Sequence, residues 1–473
     1  MLYHCGSVSI KAGTPGAGAD EIVHVTERRI VMTSHWRCFG IIGIVLLVVP
    51  QPARPQTPQD SRKAIDYTAE QYVKLILKVG QYKADYIDSY YGPSEWQPAA
   101  VKDSLGPFPY QEFSSEVTKL LDSMTIIGRG DLTQSQRKRW RSLDDCLQSL
   151  QAMIDILNGK KMTFDEESMA IYRVKAPSYD SLHYESQLRT LDSLIPGRGD
   201  LQARFVAFSR QFLVPHDKVD TLMKVTIAQC RALTAEHITL PTGEQFLLDL
   251  VPRQPWGAYN WYKGNLTSLI QVDTSRDLFI EDLIGTSAHE GYPGHHVQNV
   301  IDDRCLYRDS GWGEYCVQPL FSPRMFGEGE ANYGVDLVFP KQAWLEYMGT
   351  TICPLAGIDT SNLERYYDIL KSRETMKYSF IDAARSYIDG RKSRDAVISW
   401  NMHFGVRTRR QAEDEVSFYD KYRSYIITYS VGEDLIRNFI LAGGGTESNP
   451  AKRWELFKAL LTSPLSASDL EEM

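Results

Sequence analysis

Pro293 is the residue that most constrains this chain. It lies in His289-Glu-Gly-Tyr-Pro-Gly-His-His296, eight positions that hold three of the ten histidines and a glutamate. A helical His-Glu-x-x-His motif puts two imidazoles on one face for zinc, with the glutamate as general base. Here the position four after His289 is Pro293 itself, so an unbroken helix cannot supply the second imidazole. In such a helix His296 would share a face with His289 but lie about 10.5 Å further along, at about 1.5 Å per residue. His295 would be nearer but turned away. Neither could join His289 on one ion whose nitrogen ligands sit at about 2.0–2.1 Å. Proline removes a helical hydrogen bond and kinks the chain, and Gly291 and Gly294 accept the backbone that a local bulge needs. Such a bulge returns a downstream histidine, His295 or His296, to the side of His289.

A catalytic zinc site also needs a third protein ligand and an open position. Downstream, Glu328-Gly-Glu-Ala-Asn-Tyr-Gly-Val-Asp336 offers Glu328, followed by small residues that allow close packing. His, His and Glu form a known catalytic zinc set. Glu330 and Asp336 compete for the third place, or act as outer partners that orient the imidazoles.

The frame around these residues reads as mainly helical. Apolar residues recur at helical spacing over Tyr67–Val79, Leu120–Ile156, Tyr184–Ile195, Leu201–Phe212 and Val219–Leu233, and again from Gly327 to the end. Three short runs interrupt them: Phe246–Val251, Gly257–Tyr262 and Leu266–Val272. Lys263-Gly264-Asn265 between the last two predicts a hairpin, hence a small inserted antiparallel sheet beside the metal helix. Thr274 with Asp277 predicts a cap for a helix through Leu278 and Ile284. The strand Leu266–Val272 either pairs with an extended peptide or only braces the metal helix. The chain is 43% hydrophobic and 24% charged, which rules out disorder, collagen and coiled coil as the main class. Its net charge of −8 argues against a general nucleic-acid binder.

Near the start, the apolar run Phe39–Val49 follows the weakly basic Met32–Arg37 and precedes the proline-rich stretch Pro50–Pro58. The run is shorter than the about 20 residues a bilayer span needs, and the layout is that of a secretory signal peptide. The expectation is a leader and linker over 1–59, with Met32 as the true start, an exported product and no transmembrane span in the mature chain. Residues 60–473 then form a single catalytic domain, with an N-terminal helical lobe over about 60–240 and a hairpin and metal-site lobe over about 241–473. Five cysteines remain after the leader. Five is odd, so at least one is a free thiol or pairs between chains. Export permits a disulfide, with Cys305 and Cys316 as the most local pair, and buried reduced thiols are the other reading.

The Pro-Gly-His-His segment with Glu328-Gly-x-Ala-x-Tyr333 after it resembles a bacterial family catalogued as domain of unknown function number eight hundred and eighty-five. The resemblance runs through Asp85-Tyr-Ile-Asp-Ser-Tyr-Tyr-Gly-Pro93, Phe321-Ser-Pro323 and Arg423-Ser-Tyr-Ile-Ile-Thr-Tyr-Ser-Val-Gly432. That family is similar to gluzincin metallopeptidases such as angiotensin-converting enzyme, the thimet-type oligopeptidases and the thermostable carboxypeptidases. The resemblance implies a two-lobed zincin-like helical fold and one zinc ion. It also implies His289, His295 and Glu328 as ligands, with His296 as the alternative to His295, and Glu290 as general base. Tyr429, matching a Tyr-x-x-Gly pattern, is implied as oxyanion donor, with Arg423 and Tyr425 near the substrate, Arg423 as a clamp for a carboxylate. The tyrosines have a plainer reading as half-buried packing residues. The functional expectation is an exported zinc metallopeptidase of carboxypeptidase or oligopeptidase type. The alternatives are a metal-dependent hydrolase of a non-peptide amide or ester, and a catalytically silent envelope protein that binds peptides.

Overall fold

The computed structural model describes residues 57–99, 105–254, 257–324, 326–463, 465 and 470. They belong to one compact unit within Pro52–Met473. The leader expected over 1–59, Met32 included, lies outside the described residues except for its last three positions, where Thr57 caps and Pro58 opens the first helix. The fold is mainly α. In order come α1 (Pro58–Gly80), β1 (Ile87–Tyr90), α2 (Tyr110–Gly128), α3 (Gln134–Leu157), α4 (Phe164–Tyr172), α5 (Ser181–Leu194), α6 (Leu201–Ser209) and α7 (Val219–Ala235). The strands β2 (Gln245–Val251), β3 (Ala258–Tyr262) and β4 (Thr267–Asp273) follow, then α8 (Ile280–Thr286), α9 (His295–Ile301) and β5 (Val317–Pro319). The chain closes with α10 (Phe326–Val338), α11 (Lys341–Tyr347), α12 (Cys353–Ala356), α13 (Leu363–Glu374), α14 (Lys377–Ile388), α15 (Arg394–Phe404), α16 (Arg409–Tyr422), α17 (Ile427–Ala442) and α18 (Pro450–Leu461).

The helical periodicity has its expected cause. Ile65, Ala69, Tyr72, Val73, Ile76 and Val79 recur three or four apart on α1, and all are buried. The stretch Leu120–Ile156, read as continuous, divides into α2 and α3. Thr133 and Gln136 form a reciprocal capping box, with Gln136 N–H donating to Thr133 Oγ1 at 3.3 Å and Thr133 N–H to Gln136 Oε1 at 2.9 Å. That box restarts a helix after the Gly128-Arg-Gly130 break. Polar pairs tie distant parts of the chain together: the buried pairs Arg139 to Glu314 at 2.7 Å and Tyr184 to Asp382 at 2.6 Å, and the partly exposed Arg423 to the buried Glu167 at 2.5 Å. Cys146, Cys230, Cys305, Cys316 and Cys353 are all free thiols, so the local Cys305–Cys316 bridge is not formed. No described helix is long and apolar enough to cross a membrane.

The hairpin is present, with β3 antiparallel to β4 from Ala258 opposite Val272 to Tyr262 opposite Ser268. Its turn needs glycine, because Gly264 has φ +74 and a Cβ there would lie 2.9 Å from Tyr91 Cβ. The third strand departs from expectation: β2 runs parallel to β4, so the sheet is mixed, in the order β2-β4-β3. β4 is therefore central with both edges hydrogen-bonded. The peptide-binding reading of Leu266–Val272 is corrected on that ground, and the edge left open on the β3 side belongs to β3. The helix after the sheet also starts later than predicted. Val214 N–H donates to the Leu278 carbonyl at 2.8 Å and holds Leu278 and Phe279 extended. Asp282, rather than Thr274 or Asp277, then accepts the Phe279 N–H at 2.8 Å.

Candidate metal centre

α8 runs into a single π turn over Ser287–Gly291, and α9 restarts at His295. Between them Tyr292 N–H donates to the Ser287 carbonyl at 3.0 Å and Gly294 N–H to the Ala288 carbonyl at 2.9 Å. The Tyr292–Pro293 peptide is cis. This excursion brings the His289 and His295 rings edge to face, with centroids 4.7 Å apart. Glycine is obligatory at its tightest point: a Cβ on Gly294 would sit 1.9 Å from the His289 carbonyl oxygen. Glu328 arrives from the first turn of α10. That helix packs backbone to backbone on α17, where a Cβ on Gly329 would lie 2.3 Å from the Gly432 carbonyl carbon.

One ligand atom from each of His289, His295 and Glu328 lies within 4.8 Å of the others. His289 Nε2 is 3.2 Å and His295 Nε2 3.6 Å from Glu328 Oε2. The outer ends of both imidazoles are held. His289 Nδ1 meets Asn332 Oδ1 at 3.0 Å, while the Asn332 amide NH2 donates to the Tyr429 carbonyl at 3.1 Å. His295 Nδ1 meets Gln298 Oε1 at 2.9 Å, while the Gln298 amide NH2 donates to the Gly327 carbonyl at 3.0 Å and to Glu330 Oε2 at 2.6 Å. Each amide is thus turned with its oxygen toward histidine, so both imidazoles donate from Nδ1 and present Nε2 inward. Glu328 Oε1 accepts from the Tyr425 hydroxyl at 2.7 Å, and its Oε2 is buried without a hydrogen-bond partner. Two imidazole nitrogens and a carboxylate oxygen therefore converge on one point that a proton or a cation must bridge, and the outer partners are those that fit a bound cation.

The electrostatics carry the same signature. Burial pushes the Glu328 carboxyl up, but its contacts with His289 and His295 outweigh it and leave the group below the ordinary carboxylate range. His295 is the mirror case: burial opposes its charge, and Glu328 with Glu290 still raises it to about 10. Without a cation the trio holds a proton instead. Glu290 is buried beside them, and burial raises its pKa against the pull of His289 and His295. Its own backbone carbonyl is fixed by the Asn260 amide of β3 at 2.7 Å.

Other predicted residues sit elsewhere. His296 is fully buried and points away, with Nε2 2.8 Å from Glu244 Oε2 and Nδ1 2.8 Å from Ser268 Oγ. Both its nitrogens are spent, so it is not an alternative ligand. Asp336 accepts from Lys371 at 2.8 Å and Arg437 at 2.7 Å and touches neither imidazole. Glu330 reaches His295 only through Gln298, and burial raises it to about 8. Arg423 is committed to Glu167 at 2.5 Å and to the Met162 carbonyl at 3.2 Å, so the carboxylate-clamp reading is corrected. Tyr425 donates its hydroxyl to Glu328 Oε1 at 2.7 Å. Tyr429 packs edge-on against Tyr425, with ring centroids 5.8 Å apart. Burial, together with the Glu328 and Glu290 charges, holds its hydroxyl protonated well above its usual range.

The centre opens on a cavity of about 730 Å³ whose walls include His289, Glu290, Asn332, Ala258 of β3 and Arg373 of α13. Arg373 stacks 4.8 Å from the Phe205 ring, and among the described residues it has no ion-pair partner. Burial and the neighbouring Arg407 lower it to about 10, against the pull of Glu281. Asn332, Gln298 and Arg373 escaped the sequence reading. The first two had a signal, since Asn332 lies four residues after Glu328 and Gln298 three after His295, on the same helical faces.

No protein-family model matches the chain, so the family read from its motifs stays a resemblance, and no curated protein matches it either. Among solved structures, the chain is similar to a protein classed as a lipoprotein from Colwellia psychrerythraea, at 13% identity over 89% of this chain and 76% of that one, TM-score 0.47. It is similar to a protein of unknown function from Shewanella oneidensis that is likewise classed as a lipoprotein, at 12% identity over 74% of this chain and 71% of that one, TM-score 0.40. It is also similar to metallocarboxypeptidase 1 of Trypanosoma cruzi, at 11% identity over 88% and 92%, TM-score 0.44.

Proposed function

We propose that the protein is an exported zinc-dependent peptidase whose ion is held by His289, His295 and Glu328. The observation that carries this reading is the partnerless Glu328 Oε2 facing two inward Nε2 atoms, with Glu290 alongside. A zinc ion on such a His-His-Glu set acidifies water and polarises a carbonyl. The chain's own residues do the rest. Glu290, with its carboxyl raised by burial, takes the proton of the attacking water and returns it to the leaving amine. Asn332 and Gln298 keep the imidazoles turned inward. Tyr429, kept protonated by burial and then by its carboxylate neighbours, donates to the oxygen that gains charge. Replacing Tyr429 with Phe should lower kcat roughly 100-fold, the cost of one oxyanion donor, while zinc content stays unchanged. An unaltered kcat removes Tyr429 from the mechanism.

Carboxypeptidase action is supported by Arg373, a guanidinium in the cavity wall without an ion-pair partner among the described residues. A substrate carboxylate would supply that partner. The test is digestion of a mixed peptide library by the zinc-loaded protein, read by mass spectrometry. Release of single C-terminal residues, abolished when the peptides are C-terminally amidated, is the expected result. Internal cleavage that ignores amidation would make it an oligopeptidase, and metal retention without any cleavage would leave a silent peptide binder.

A further inference from the structure

The helix break that makes the site possible also has to be held in place. Five residues separate His289 from His295, and two of the side chains around the break, Tyr292 before Pro293 and His296 after it, converge on one atom. Tyr292 donates its hydroxyl to Glu244 Oε2 at 2.6 Å, and His296 Nε2 approaches the same oxygen at 2.8 Å. The other oxygen, Oε1, receives Arg231 of α7 through Nη2 at 2.6 Å and Nε at 2.8 Å. His296 Nδ1 is held in turn by Ser268 of β4 at 2.8 Å. Glu244 is itself fixed in the chain, its N–H donating to the Pro241 carbonyl at 3.2 Å, while Gln245 N–H donates to the Leu266 carbonyl at 2.8 Å. Its side chain is 3% exposed and that of His296 1%. Both are closed to solvent, so water cannot take over either partner's hydrogen bonds. Glu328 also reaches both sides of the break, but through His289 and His295 themselves; Glu244 holds the break through side chains outside that trio.

We propose that Glu244 is the positioning residue of the metal centre. By holding Tyr292 and His296 on one oxygen, it fixes the length of the excursion and so the place of His295 opposite His289. The ionised carboxylate can only accept, so both partners must donate to it. A glutamine of the same shape keeps its oxygen on the two Arg231 donors only by turning its amide NH2 toward Tyr292 and His296, which must then both change from donor to acceptor. Nothing in this role touches substrate or the ion. The inference rests on the zinc reading, and its test separates the two.

Zinc affinity is measured by competition with a chromogenic chelator, and site geometry by the visible d–d spectrum of the cobalt-substituted protein. The comparison covers wild type, Glu244→Gln, Tyr292→Phe and Glu314→Gln. The last disrupts a buried carboxylate–arginine pair elsewhere. Glu244→Gln is expected to weaken zinc binding about 10- to 100-fold, as losses of outer partners do, and to alter the cobalt spectrum. Tyr292→Phe, which removes one bond and is the fallback should Glu244→Gln not fold, should show a smaller change in the same direction. Glu314→Gln should lose stability while its zinc affinity and cobalt spectrum stay at the wild-type values. Wild-type affinity and spectrum in Glu244→Gln or, if that variant does not fold, in Tyr292→Phe would overturn the positioning role and leave the zinc reading intact. So would equal losses of affinity in all three variants. A wild type that binds neither ion would overturn both.

Discussion

The Glu290→Gln variant should bind about one zinc ion per chain, as wild type does, and hydrolyse peptides roughly 10²- to 10⁴-fold more slowly, the usual contribution of a positioned general base. The separation of the two readouts follows from the geometry. The proposed ligand atoms belong to His289, His295 and Glu328, whose outer partners are Asn332, Gln298 and Tyr425. None of these contacts involves the Glu290 carboxylate. That carboxylate is buried and lines the cavity beside His289. Its amide counterpart has nearly the same shape and cannot take a proton. Single-turnover rates alongside zinc content check this, and a variant that keeps the wild-type rate would remove Glu290 from the chemistry.

The Glu328→Gln variant should lose the ion itself, by more than the roughly 100-fold that removal of an outer partner costs. Glutamine supplies one neutral oxygen where a carboxylate faced two imidazoles. The same carboxylate sets the pH dependence of binding. In the metal-free chain Glu328 lifts His295 to about 10 from an ordinary 6.5, so at neutral pH the ion must displace that proton. Zinc affinity should therefore rise about tenfold per pH unit from about 7 towards 10. Stability has the opposite sign. A folded-state pKa above the unfolded one stabilises the metal-free chain fully below about 6.5, and that contribution fades as pH rises through about 10. Zinc titrations in weak buffer should release close to one proton per ion at pH 7.5. Release of none would show that Glu328 and His295 are not joined through a shared proton.

Much of this was legible before any coordinates. Pro293 excludes an unbroken helix, so the π turn and the restart at His295 follow from the same residues that announce the site. Small residues after Glu328 announce the close crossing of α10 on α17. What remained hidden depends on long-range partners. Which of two adjacent histidines faces inward is decided by Glu244, some fifty residues earlier, and by Ser268 on a strand. Arg423 reads as a free cation until Glu167 of α4 is brought against it. β2 lies parallel to β4 because the chain crosses from one sheet edge to the other between them, which the strand pattern alone does not encode. The late start of α8 has the same origin, since Val214 holds Leu278 extended against a local preference for helix.

The central claim is that His289, His295 and Glu328 together hold one metal ion. Elemental analysis of the purified wild-type chain, after chelation, reloading with zinc and exhaustive dialysis, tests it most directly. The account predicts about one zinc per chain, and much less in Glu328→Gln. A wild-type chain that emerges from the same treatment without metal would contradict it.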